Sequence, residues 1–302
     1  MLRNLNMFLQ SLYLAIVPRP IQLKLSPFVI KTYLLILSVF VIHKKKKRLN
    51  EVTVKITSHC NLNCKYCSQF SPIADPDEYD ATTFANDFER LYELTKGDIR
   101  HIIIMGGEPL LHPQLAELLQ IARNIFHKSR ISLSTNGILL LKQDDGFWNL
   151  CREMNIEIVI SNYPVKINFL SIFDIAKKYN VKIYYKTKKP QTMYKWTFDV
   201  EGKQCADRSF YKCFLGNNCF QIDNGKLYTC VMIPSVKHFN KYFNKKMEVM
   251  PGDYIDIYST ESLEEMLGFL ATPVPFCKYC NIDKISYGQE WGPSKYDISE
   301  WT

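Results

Sequence analysis

Residues 51–67 read EVTVKITSHCNLNCKYC, a β-rich run over 51–57 followed at once by Cys60, Cys64 and Cys67. From here on, short β-rich runs alternate with helical patterns, which predicts βα units around a parallel sheet. Phe84, Phe88, Leu91 and Tyr92 recur at helical spacing after a candidate cap, Asp80, and predict the first helix. The apolar run HIIIM at 101–105 predicts a strand covered on both faces. Pro113, at a favoured first helical position, opens a helix to about residue 126. Strands are expected at 130–134, 156–160 and 181–186, helices around 147–154 and 169–179, and a sixth strand near 195–200. The fold class is α/β.

The 302-residue chain is 47% hydrophobic and 23% charged. That composition excludes a wholly disordered chain, a multi-span membrane protein and a small disulfide-stapled scaffold. Five of its eight net positive charges lie in one run, Lys44, Lys45, Lys46, Lys47 and Arg48. A nucleic-acid-binding face needs basic residues spread along a groove, so no nucleic-acid partner is expected. The mostly apolar residues 28–42 fall short of the roughly 20 that span a bilayer. Followed by KKKKR, they suit either a helix packed on its own domain or one lying on an anionic membrane, so peripheral membrane contact is expected, if anywhere, at residues 28–48. The start MLRNLNMFLQSLYLAIVPRP has no small-residue cleavage signature, so the ten thiols are expected to stay reduced in the cytoplasm.

Cys60, Cys64 and Cys67 stand at C-x3-C-x2-C in the loop after the first strand. Three thiolates on a short loop can wrap one corner of a cubane, and thiolate sulfur suits iron-sulfur clusters or zinc. Three ligands leave one metal position open to a small molecule. Structural zinc wants a fourth protein ligand, which His59, adjoining Cys60, supplies only under strain. MGGEPLLHP at 105–113 ends the second strand. There Gly106 and Gly107 let a ligand approach the backbone, and Glu108 offers a carboxylate to a cationic group. Parallel sheets and barrels bind ligands at this end of their strands. His112 is expected to cap the turn, His101 and His127 to be structural or solvated, and Tyr184, Tyr185, Tyr194 and Trp196 to belong to the core.

Together, C-x3-C-x2-C after strand one and GGEP after strand two resemble the radical S-adenosylmethionine superfamily over about residues 51–200. The resemblance implies a partial (β/α)6 TIM-like barrel in which Cys60, Cys64 and Cys67 bind a [4Fe-4S] cluster whose open iron is chelated by S-adenosylmethionine. It further implies that one electron, from a donor such as flavodoxin or ferredoxin, generates a 5′-deoxyadenosyl radical that takes hydrogen from substrate. By the same resemblance Tyr66 contacts adenine, while Gly106, Gly107 and Glu108 hold the methionine ammonium. Ser134, Asn136 and Ser161 are candidates for ribose and carboxylate contacts, or solvated turn residues.

Six of the ten cysteines lie after residue 202. Cys213, Gly225 and Cys230 read C-x11-G-x4-C across a hairpin expected at 221–229, and Cys277 and Cys280 read C-x2-C. This resembles the twitch subdomain, the shorter relative of SPASM, and implies an auxiliary [4Fe-4S] cluster. Cys219 could replace Cys213, and zinc stays open at this site because spacing does not distinguish it from iron. Cys205 and Cys151 are expected to be spare thiols, Cys151 as core. The expected organisation is a helical, basic extension over 1–50, a radical SAM core over 51–201 and an auxiliary-cluster region over 202–302. The expected substrate is a small, sugar- or metabolite-like molecule. The alternatives are a peptide-modifying maturase and a non-catalytic iron-sulfur or zinc module at a membrane surface.

Overall fold

The computed structural model describes residues 48–187, 190 and 192–302. Residues 1–47 of the expected N-terminal extension, and all of the expected membrane contact except Arg48, lie outside these residues. Five strands, β1 (Glu51–Lys55), β2 (His101–Met105), β3 (Arg130–Thr135), β4 (Ile156–Ile160) and β5 (Ile183–Tyr185), pair in parallel in the order β5-β4-β3-β2-β1. The connections carry α1 (Ala81–Thr95), α2 (Leu115–Ile125), α3 (Asp145–Glu153) and α4 (Phe169–Lys178). Because the order steps monotonically, right-handed crossovers put all four helices on one face, as in an opened barrel.

That one-sidedness corrects the reading of HIIIM. Ile102 and Ile104 are buried, but His101, Ile103 and Met105 point to the other face and are only half-buried. The helical face packs as one core, in which Phe84, Phe88 and Leu91 of α1 join Val52, Val54, Ile102, Ile104, Ile131 and Ile158. Asp80 caps α1 as expected, its carboxylate accepting from the Thr83 amide. The second helix starts at Leu115, later than Pro113 suggests.

The sixth strand of the parallel set is not at 195–200. β6 (Met193–Lys195) leaves the main sheet, and the position is taken on the opposite edge. After α5 (Ala206–Lys212) and α6 (Phe214–Asn218), the hairpin of β7 (Gln221–Asp223) and β8 (Lys226–Tyr228) lays β7 parallel to β1. Asn224 and Gly225 adopt the left-handed conformations that the turn requires. α7 (Met232–Phe243) follows, then β9 (Tyr254–Asp256) extends the sheet beyond β8. After α8 (Leu263–Leu270), β10 (Ser286–Gln289) pairs with β6. A second core of Phe70, Phe198, Phe210, Phe239, Phe276 and Trp301 packs this half against residue 70 of the cysteine loop. Among the described residues no helix is long and apolar enough to cross a membrane.

Candidate functional site

The loop after β1 carries Cys60 and Cys67 half-buried and Cys64 buried. An apolar shell of Leu62, Tyr66, Ile138, Tyr163, Val165, Met193 and Trp291 packs on them. Burial, reinforced by Cys67, Glu108 and Cys64 and opposed by the Leu62 amide, pushes the Cys60 thiol up to about 12. Burial likewise raises Cys64 to about 12, against hydrogen bonds from Trp291 and Tyr163. These thiols hold their protons until a metal displaces them, so metal binding and proton release are coupled here.

GGEP is built against this loop. The Gly107 amide donates to Thr57 O at 2.8 Å and the Glu108 amide to His59 O at 2.8 Å. A Cβ on Gly106 would lie 2.4 Å from Thr57 O, and one on Gly107 2.3 Å from His59 O. The glycines therefore admit the backbone of the cysteine loop itself, a role the sequence reading gave to a ligand. Glu108 is fully buried, and its carboxylate accepts from Thr135 Oγ1 at 2.7 Å, Asn136 N at 2.8 Å and Leu110 N at 3.1 Å. Burial raises its pKa despite those three donors. Glu108 thus ties the end of β2 to the end of β3.

The structure brings Tyr66, Gly106, Gly107, Glu108 and Asn136 to this one end of the sheet. Tyr66 occupies the left-handed region, with φ 63°, and packs on the cysteines. Asn136 is buried, its Nδ2 donating to Asn61 Oδ1 at 2.8 Å and its Oδ1 accepting from Ile138 N at 3.0 Å, so it braces the cysteine loop. Ser134 is half-buried near the end of β3, and Ser161 starts the loop after β4, its amide on Thr135 O at 2.9 Å. His112 caps the turn through its Nδ1, which accepts from Gln114 N at 3.1 Å. His101 is structural, bonded to Glu51 and Ser132, and Tyr194 is exposed rather than core.

The sequence reading missed a polar group under the same loop. Lys55 Nζ donates to Ser235 Oγ at 3.3 Å, and His238 Nε2 lies 3.1 Å from Ser58 Oγ. Burial and Lys55 lower His238 to about 4, so its 3.7 Å approach to Asp77 is not an ion pair at neutral pH. Asp77, which burial alone would raise, is held at about 2 by Lys55 and by hydrogen bonds from Lys237 and Ser58. Lys55 and Ser235, like Ser58 and His238, lie 180 residues apart, which no local pattern announces.

Five of the six cysteines after residue 202 line the second core: Cys277 is buried, and Cys213, Cys219, Cys230 and Cys280 are half-buried against it. Burial raises Cys230, Cys277 and Cys280; Cys213 adds repulsion to all three, and Cys219 adds to that on Cys230. Cys151 is core within α3, as expected, and Cys205 is exposed. None of the ten cysteines is in a disulfide.

Residues 54–161, which carry both motifs, match the Radical SAM superfamily. They form a radical SAM domain. The radical SAM stretch resembles GTP 3',8-cyclase of Chlorobaculum tepidum, 34% identical over 100 residues, 33% of this chain and 29% of that protein. A probable GTP 3',8-cyclase of Methanococcus aeolicus is 37% identical over 98 residues, 32% of each chain. The chain thus matches about three-tenths of the length of these relatives. Among solved structures, BtrN in complex with AdoMet and 2-DOIA is 19% identical, with a TM-score of 0.49 over 78% of this chain and 94% of that one. Native anSMEcpe with bound AdoMet is 21% identical, with a TM-score of 0.37 over 45% and 42%.

Radical SAM enzymes use a [4Fe-4S] cluster and S-adenosylmethionine, and the cysteine loop fits the cluster. The three thiols sit on one loop, with Cys67 close enough to raise Cys60 and Cys64 and Cys64 close enough to raise Cys60, against an apolar shell that limits water at the sulfurs. Among the described residues no three Cys, His, Asp or Glu side chains converge on a single ion. In a cubane each thiolate binds a different iron, so its ligands need no common point.

Proposed function

We propose that this protein is a radical SAM enzyme that takes hydrogen from a small-molecule substrate, with Cys60, Cys64 and Cys67 holding the cluster. The observation that carries this reading is the apolar-walled three-thiol loop braced by GGEP within a radical SAM domain. When bound, the reduced cluster supplies the electron that cleaves the sulfonium of S-adenosylmethionine. The chain's own contribution is exclusion of water and orientation. Tyr66 stands between two ligands as an apolar plate for the nucleoside, and Ser134 and Ser161 offer hydroxyls near strand ends. Glu108 and Asn136 act by holding the loop, since their polar atoms already have internal partners.

Cys213, Cys230, Cys277 and Cys280 hold a second cluster in this reading, supported by the repulsion that Cys213 exerts on the other three. Residues 202–302 act as the auxiliary-cluster region, and a flavodoxin- or ferredoxin-like protein supplies electrons. Ten thiols outside disulfides suit a reducing compartment. GTP enters the substrate screen through the named relatives, beside sugars and polyols.

Anaerobic reconstitution with dithionite and S-adenosylmethionine yields 5′-deoxyadenosine in wild type and none in Cys64→Ala; equal yields refute the reading. Iron falls from about eight per chain to about four in Cys277→Ala/Cys280→Ala. An unchanged four, or zinc in its place, removes the second cluster. Stimulation by a precursor peptide alone replaces the small-molecule substrate with a peptide.

A further inference from the structure

The segment at 291–302 crosses the cysteine loop and is bonded to it along its length. Lys65 N donates to Gly292 O at 2.9 Å, Ser294 N to Asn63 O at 2.8 Å, and Trp301 Nε1 to Cys67 O at 3.0 Å. Glu300 stiffens this strap by accepting from Ser294 Oγ at 2.8 Å and Lys295 N at 2.6 Å. At its start, Trp291 directs Nε1 at Cys64 Sγ across 3.2 Å, and the Tyr163 hydroxyl bonds the same sulfur from the loop after β4. The two rings support each other, their centroids 6.3 Å apart.

An indole N–H can only donate, and a metal-bound thiolate can only accept. Two side-chain donors from distant parts of the chain meet on this sulfur, whereas Cys60 receives a single backbone amide at 3.4 Å. A donor on a ligand sulfur draws electron density from it and stabilises the more negative, reduced state of the cluster. We propose that Trp291, seconded by Tyr163, is a positioning residue that donates to the Cys64 sulfur and raises the reduction potential of the cluster ligated there. The inference rests on Cys64 being a cluster ligand, as proposed above.

The test uses the full chain, reconstituted without oxygen, with iron and sulfide counted and an EPR-monitored titration against low-potential mediators. The signal that changes on adding S-adenosylmethionine is the one followed, which separates this cluster from any other. Trp291→Phe keeps the ring and removes the donor, as does Tyr163→Phe. Each variant moves the midpoint to more negative potential at full iron content, and the double variant moves it further. A wild-type midpoint in both variants, or a positive shift, overturns the proposal. If neither variant takes up iron, pulsed EPR of the reduced wild type labelled with indole-15N tryptophan decides: 15N coupling to the S-adenosylmethionine-responsive cluster supports the Trp291 bond, and its absence overturns it. Wild type that shows no S-adenosylmethionine-responsive signal instead overturns the functional reading on which the inference stands.

Discussion

Replacing His238 with Gln removes one titration and leaves a measurable mark on the pH dependence of folding. In the fold His238 is 5% exposed, and burial together with Lys55 holds its pKa at about 4, below the ordinary 6.5 or so. The folded pKa is depressed for a base, so the unfolded chain takes up the proton first. The stability that a neutral His238 contributes is complete above about pH 6.5 and is lost as the pH falls toward 4. At about 1.4 kcal/mol per pKa unit the whole gap is worth on the order of 3 kcal/mol, of which about 2 kcal/mol falls between pH 7 and pH 5. Asp77 titrates near 2 and stays silent in that window, while the buried carboxyls contribute equally to both proteins and cancel. Urea unfolding of anaerobic wild type and His238→Gln at half-unit pH steps, followed by circular dichroism, reads the difference. Wild type loses about 2 kcal/mol more than the variant on going from pH 7 to pH 5. Parallel curves refute the claim that His238 is neutral and buried against Ser58.

Three further outcomes follow from the geometry. Gly107→Ala drives a Cβ into backbone atoms of Ser58 and His59, and the displaced cysteine loop costs about 1–3 kcal/mol and lowers bound iron, checked by iron assay and melting. Asp87→Ala strands the Tyr79 hydroxyl and the Gly225 amide, which both bond its carboxylate. The Tyr258 hydroxyl, which also donates to Asp87 at 2.6 Å, is exposed and turns to water, so the loss costs about 2–4 kcal/mol and lowers the melting temperature by roughly 5–15 °C. Cys151→Val leaves iron content unchanged, because that thiol is packed within α3 away from both cysteine groups; a loss of iron makes it a ligand.

The half of the chain built from local signals was legible in the sequence. Strand and helix periods run from residue 51 to 185 without a break, and β2 and β4 begin and end where their apolar runs do. The hairpin at Asn224 and Gly225 was legible for the same reason, but its place was not: pairing of β7 with β1 joins residues far apart and leaves no periodic trace. α7 escaped notice because Pro234 interrupts its pattern. Pro234 is the third residue of the helix, where no backbone N–H is required, so it is tolerated. At the site, the cysteines and GGEP announce themselves by spacing. The sequence reading offered both glycines to a ligand and Asn136 either to a ligand or to a solvated turn; their contacts with Thr57, His59 and Asn61 join separate loops and leave no local pattern. Tyr163 and Trp291 carried no signal, being single aromatics in loops.

The strap also imposes an order of events during synthesis. Cys64 emerges from the ribosome 227 residues before Trp291, an interval of about 10–45 s at ordinary elongation rates. Throughout that interval the loop lacks the strap and Trp291, the last-made part of its cover, and a cluster carrier meets a loop open on that side. Once the tail has been made and seated, delivery has to prise Gly292 and Ser294 from Lys65 and Asn63. Maturation is therefore easiest on the nascent chain.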